Sequence, residues 1–140
     1  MMLVVVDTNV MIASMARQSS VAPLFRAIAK GEISLVISAG IVLEYEEIAA
    51  ERGGAAFAAR MMHWLSLVAA SWGTIQEVHP SYQFRVISSD PDDNKFVDCA
   101  ITADADFIIT RDSDYAPLVG SGYKPQPIAP EEFIARYLKP

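Results

Sequence analysis

A chain of 140 residues, 52% hydrophobic and 20% charged, is long enough for one domain and apolar enough to bury a sizeable core. That composition excludes a disordered chain. The lone Cys99 excludes an intrachain disulfide or a cysteine-based zinc site. A formal charge of −6 speaks against the basic face that nucleic-acid binders usually carry, unless several carboxylates converge on cations.

The elements read in chain order as follows. Leu3 to Val6 is a β-branched run that ends in Asp7, as a buried strand would. Its apolar stretch falls far short of the ~20 residues that a bilayer requires. It also lacks the basic n-region of a signal peptide, so a cytoplasmic protein is expected. A short helix is expected over 11–17, and a second over 21–30, stopped by Gly31. Ile33 to Ile37 is the second strand. Two helices follow, 41–52 and 55–70, separated by Gly53-Gly54. Thr74 to Val78 is the third strand, and 80–92 reads mostly as loop. A helix over 93–103 leads into the fourth strand, 107–110. A short fifth strand at 126–128 precedes a last helix that Pro130 opens in its favoured first turn. No repeat, low-complexity tract or linker interrupts the series, so a single domain over 1–140 is expected. Short apolar strands alternating with helices predict an α/β fold of three layers, α/β/α, around a mostly parallel sheet of four to five strands.

In an open parallel sheet, ligands bind outside the carboxyl ends of the strands. Two expected strands run into an acid there: Val4-Val5-Val6-Asp7, and Phe107-Ile108-Ile109-Thr110-Arg111-Asp112. Helices in such a unit start at that same edge, which adds Asp93 and Glu44. Each has a plainer reading. Asp7 and Asp112 also suit turn caps, Asp93 suits a helix start on dipole grounds, and Glu44 competes with Glu46 and Glu47 for a solvated face. Taken together, four carboxylates from four segments would repel one another without cations. An all-oxygen set favours magnesium or manganese over zinc. Two divalent ions held by those four acids would take the net charge from −6 to −2, cancelling the acids' own charge.

The quoted motifs resemble the PIN-domain family, and within it the branch described as toxin components of toxin–antitoxin systems. The similarity runs from Leu3 to about Ile128. Val5-Val6-Asp7-Thr8-Asn9 is similar to the family's first strand and Asp-Thr-Asn. Ser38 to Tyr45 resembles its serine-to-glutamate helix start. Asp90-Pro91-Asp92-Asp93-Asn94-Lys95-Phe96 resembles the loop and helix start of that branch, and Ala105 to Tyr115 the closing strand and acid. The resemblance implies Asp7, Glu44, Asp93 and Asp112 as the catalytic, metal-holding set, with Asp98 and Asp114 as less secure additions. It implies Asn9, Ser38 and Thr110 as supporting groups that orient acids or waters. Its further implications are cleavage of RNA with Mg²⁺ or Mn²⁺, homodimers, and an antitoxin partner. Arg17, Lys95 and Arg111, with Arg26 behind them, are candidates to meet RNA phosphates.

Cys99 reads as a buried structural thiol, and His63 and His79 as structural or solvated. Met61-Met62 and Trp64-Leu65 read as core or dimer surface. A haloacid-dehalogenase-type phosphatase needs a second acid where Asn9 stands. A receiver domain needs an acidic pair where only Asp7 is present. The alternative from a different class is a catalytically silent PIN-like module that binds RNA or protein.

Overall fold

The computed structural model describes residues 1–138. Five strands form one sheet: β1 (Leu3–Val6), β2 (Ser34–Ile37), β3 (Ile75–Glu77), β4 (Phe107–Ile109) and β5 (Gln126–Ile128). Their order across the sheet is β3-β2-β1-β4-β5, and every neighbouring pair is parallel. The sheet expected to be mostly parallel is therefore parallel throughout. Val4, Val5 and Val6 are fully buried, as are Leu35, Val36, Ile108 and Ile109. Continuous apolar runs of this kind are what a sheet covered on both faces selects.

Five helices accompany the strands: α1 (Thr8–Ser14), α2 (Ala22–Ala29), α3 (Ala39–Trp72), α4 (Asn94–Thr102) and α5 (Pro130–Tyr137). From β1 the chain builds outward to β2 and β3, then returns to place β4 on the other side of β1. Right-handed crossovers put helices made on the outward and return paths on opposite faces. Accordingly α1 packs on α2 and α3, and α2 on α5, while α4 lies over β1, β2 and β4. The three-layer expectation holds.

Some boundaries differ from the sequence reading. The first helix begins at Thr8, not Met11, because the Asp7 carboxylate accepts from Thr8 N at 2.9 Å and caps it. The two helices expected at 41–52 and 55–70 are both present within α3, divided at Gly54, whose φ of 87° and ψ of 170° lie outside the helical region. A Cβ at Gly54 would meet nothing within 4 Å, so the glycine serves backbone conformation and not packing. Aromatic contacts seal the helical layer: Phe25 stacks on Trp64 at 4.2 Å, and the Trp72 indole N–H donates to Ala29 O at 2.7 Å. Among the described residues, no helix is long and apolar enough to cross a membrane.

Candidate metal centre

The strand order reverses between β1 and β4, and at such a point a crevice opens beyond the strand ends. Register sets what lies there. Val6 pairs with Ile109, and Asp7 N–H continues the ladder onto Ile109 O at 3.0 Å. The next residue on each strand is therefore Asp7 and Thr110, side by side. The Thr110 hydroxyl donates to Asp7 Oδ2 at 2.7 Å and accepts from Asp112 N–H at 3.0 Å. One buried threonine thus fixes both strand-end acids. Asp112 in turn caps the 3-10 turn Ser113–Leu118, accepting from Asp114 N at 2.9 Å. Capping explains its backbone position. It leaves the second carboxylate oxygen uncommitted.

Helices deliver the other acids. Ser38 caps α3, accepting from Ile41 N at 3.4 Å, and its hydroxyl also lies against the Cys99 thiol. Glu44 follows in the second turn of α3. Its carboxylate accepts from the Thr8 hydroxyl, and Lys95 Nζ lies 2.8 Å from Oε1. Asp93 ends the 3-10 turn Pro91–Asp93 and caps α4 by position, although its side chain makes no capping hydrogen bond. Asp93 Oδ2 is buried without any hydrogen-bond partner.

Burial and neighbouring acids act together on these carboxyls. Burial holds the Asp7 carboxyl above the usual carboxylate range, against two hydrogen bonds that lower it, with Asp112 and Glu44 adding repulsion. Burial, then repulsion from Asp7, Asp90, Asp112 and Glu44, pushes Asp93 up to about 7. Tyr115 is fully buried, and its hydroxyl finds no partner. Burial and the same four carboxylates at positions 7, 93, 112 and 44 raise it well above its ordinary value. A second grouping overlaps the first: oxygens of Asp90, Asp93 and Asp114 all lie within 4.8 Å of one another. Asp114, a less secure expectation, therefore stands with Asp93, and Asp90 is an acid that the sequence reading passed over.

The remaining expected residues scatter. Asp98, five residues beyond Asp93 on α4, is buried, but its carboxylate accepts from Phe84 N at 3.0 Å and touches none of the other acids. A helix separates residues five apart by about 140°, and that rotation decides its fate. Asn9 is exposed and lines a hollow of about 260 Å³ with Asp7, Val10, Arg111 and Asp112. Arg111 is held by Glu131 through two bonds, 3.1 and 2.9 Å, at the rim of that hollow. Arg17 is exposed just past α1, and Arg26 faces a separate hollow between α2 and α5. Lys95 is paired with Glu44 and not free. His63 and His79 are both exposed, His79 lying 3.8 Å from Glu77, and Cys99 is fully buried.

A model of the PIN domain matches residues 3–114, from the first strand to the last of these acids. The chain belongs to the PIN-domain family. No curated protein and no solved structure matches it. PIN domains are generally nucleases that use divalent metal ions. The donors in this PIN domain suit that class of ion, because an all-carboxylate set favours small hard cations. A cation beside Asp93 would give its Oδ2 a partner and relieve the repulsion from Asp7, Asp112 and Glu44. Sequence reading also missed Thr8 and Tyr115. Thr8 lies within the Asp-Thr-Asn motif, where it was findable, whereas nothing local distinguishes Tyr115 from a core aromatic.

Proposed function

We propose that this PIN domain is a metal-dependent endoribonuclease that hydrolyses RNA phosphodiester bonds. The observation that carries the reading is the gathering at one sheet edge of Asp7, Glu44, Asp93 and Asp112: Thr110 joins Asp7 to Asp112, Asp112 and Glu44 repel the Asp7 carboxyl, and all three repel that of Asp93, whose Oδ2 is buried without a partner. Asp7, Asp93 and Asp112 would hold Mg²⁺ or Mn²⁺, with Glu44 at the rim and Asp90 and Asp114 supplying further negative charge. When bound, such an ion acidifies water and offsets charge that develops on the phosphate. The chain's own contribution is positional. Thr110 orients Asp7 and Asp112 together, and Thr8 and Lys95 fix Glu44. Arg111, at the hollow beside Asp112, and Arg17 suit contact with the RNA backbone. In the toxin reading, a small antitoxin protein covers this edge and the chain works as a homodimer in the cytoplasm.

The test is cleavage of a mixed pool of structured and unstructured RNAs by purified protein free of partners. Cleavage should vanish with EDTA, return with magnesium or manganese, and be absent in Asp112→Asn. Equal cleavage by wild type and Asp112→Asn would identify a contaminating nuclease and overturn the reading. Metal binding without cleavage would move the protein to the silent binding module.

A further inference from the structure

The segment between β3 and α4 is long for a connection with so little regular structure, and loops of that kind are commonly functional. Its course is fixed by α4. Asp98 accepts from Phe84 N at 3.0 Å. Asn94 accepts from Ile87 N at 2.9 Å and donates to Ile87 O at 2.8 Å. Between these anchors Arg85 takes a φ of 55°, a left-handed conformation uncommon for a side chain of that size. The anchoring displays aromatics. Tyr82 is 66% exposed, yet its ring packs edge-on against Phe84 at 4.8 Å, and Phe84 packs edge-on against Tyr123 at 5.4 Å. A large exposed ring held by a second ring is oriented in advance of any ligand.

Two hollows flank this loop. One, of about 450 Å³, is lined by Tyr82, Gln83, His79 and Ser38; the other, of about 570 Å³, by Arg85, Ser88 and Asn94. Lys95 lines both, and it is the residue whose ammonium touches Glu44 of the acidic cluster. The two hollows therefore meet at Lys95, which stands between them and Glu44. Their size suits a base or a nucleotide and not a protein segment. Aromatic faces combined with cations along a track are the means by which proteins hold single-stranded nucleic acid.

We infer that Tyr82 is a stacking platform for an unpaired base of the RNA, one that flanks the phosphodiester held at the acidic edge, with Arg85 contacting backbone phosphate beside it. Asp98 is then a positioning residue for the platform and not a metal ligand. This inference rests on the ribonuclease reading for its substrate.

The test is binding and cleavage of a fluorescent single-stranded RNA octamer of mixed sequence. Tyr82→Ala should raise Kd and KM about tenfold with a much smaller change in kcat, and Tyr82→Phe should restore both. Arg85→Gln should lower the slope of log affinity against log salt by about 0.7, the loss of one phosphate contact. Moving an abasic nucleotide along the octamer should reveal one position that weakens wild type and leaves Tyr82→Ala no worse. Tyr82-dependent binding without cleavage would overturn the nuclease reading and keep the platform. Cleavage with equal KM in wild type and Tyr82→Ala would keep the nuclease reading and overturn the platform. Absence of RNA binding would overturn both.

Discussion

Both edges of the sheet carry aspartates, and they are treated in opposite ways. At the edge where the strands begin, Asp106 Oδ2 accepts from Leu3 N at 2.9 Å, and Lys124 Nζ lies 3.4 Å from Asp106 and 3.5 Å from Asp104. Each acid has a cation or a backbone donor. At the edge where the strands end, Asp7 and Asp93 are raised by burial and by neighbouring acids, and the Lys95 ammonium is on Glu44. Asp7 and Asp112 do accept backbone N–H groups, as Asp106 does, but Asp93 Oδ2 is buried with no partner, and none of the three has a cation paired with it among the described residues. The contrast separates acids that hold the chain together from acids raised by burial and mutual repulsion, which are the ones proposed to take a ligand.

The largest expected effect breaks this symmetry outright. Asp7→Asn or Asp112→Asn should lower RNA cleavage by at least about a hundredfold, which is the order of magnitude lost when a group that orients or stabilises the reacting phosphate is removed. Asp106→Ala, at the other edge, should leave cleavage within about twofold and instead cost roughly 1–3 kcal/mol of stability, because Leu3 N–H loses its acceptor. Cleavage rates of the three variants beside their urea midpoints check both halves. A stable, active Asp7→Asn would end the comparison.

Much of the strand-end group was legible in the sequence, and what was not has physical causes. Asp7 and Asp112 could be placed because each follows an apolar run that only a buried parallel strand explains, and register then makes them neighbours. Glu44 and Asp93 followed from helix direction. Asp98 could not be resolved in the same way, since choosing its partner over those of Asp93 requires knowing where the loop around Phe84 crosses α4. Asp90 was hidden for a related reason: a 3-10 turn, not the first turn of a helix, carries Pro91 to Asp93 and folds Asp90 back toward Asp93 and Asp114. Helix boundaries at Gly53-Gly54 were visible as a break.

A second expectation concerns metal. Magnesium or manganese should raise the melting temperature of the wild type, because a ligand bound only by the native state must stabilise it. Asp7→Asn should lose most of that rise. The Asn variant should also melt higher than wild type in EDTA, since it removes one of the repelling charges. Thermal scans with and without EDTA measure all three, and equal metal-induced shifts in the two proteins would rule out a cation at Asp7.

The third expectation is a pH dependence in EDTA. Asp93 has its carboxyl pushed up to about 7 in the folded chain, against an ordinary value of 3.8. The folded state therefore holds that proton more tightly than the unfolded chain. The resulting stability is fully present below the unfolded value and is lost as pH rises through about 7. Asp7 is raised in the same direction. The metal-free protein should accordingly melt lower at pH 8 than at pH 5.5, and Asp93→Asn should flatten that decline. A profile of Asp93→Asn parallel to wild type would show that the carboxyl is not crowded as described.

The smallest effect places the same substitution at both edges. Lys124 and Lys95 each neutralise acids beside a strand end, but Lys124 answers aspartates that serve the fold, whereas Lys95 answers Glu44 within the acidic cluster. Exposed pairs of this kind contribute little, so Lys124→Ala should lower the melting temperature by about 2 °C or less, equally with EDTA or magnesium. Lys95→Ala removes the ammonium from Glu44 Oε1 at 2.8 Å and leaves the cluster more negative. Its loss in EDTA should be somewhat larger than that of Lys124→Ala, because the released repulsion falls on groups already raised by burial. Magnesium should then recover it, since a divalent cation supplies the charge that Lys95 had provided, and the apparent metal affinity should rise rather than fall. Cleavage should weaken in the same variant if Lys95 also meets the RNA backbone. The pattern is therefore a metal-sensitive defect at one edge and a metal-blind defect at the other, read from four melting curves and one magnesium titration. Identical, metal-blind shifts for the two variants would mean that Lys95 is only another surface ion pair and that Glu44 stands outside the metal's field.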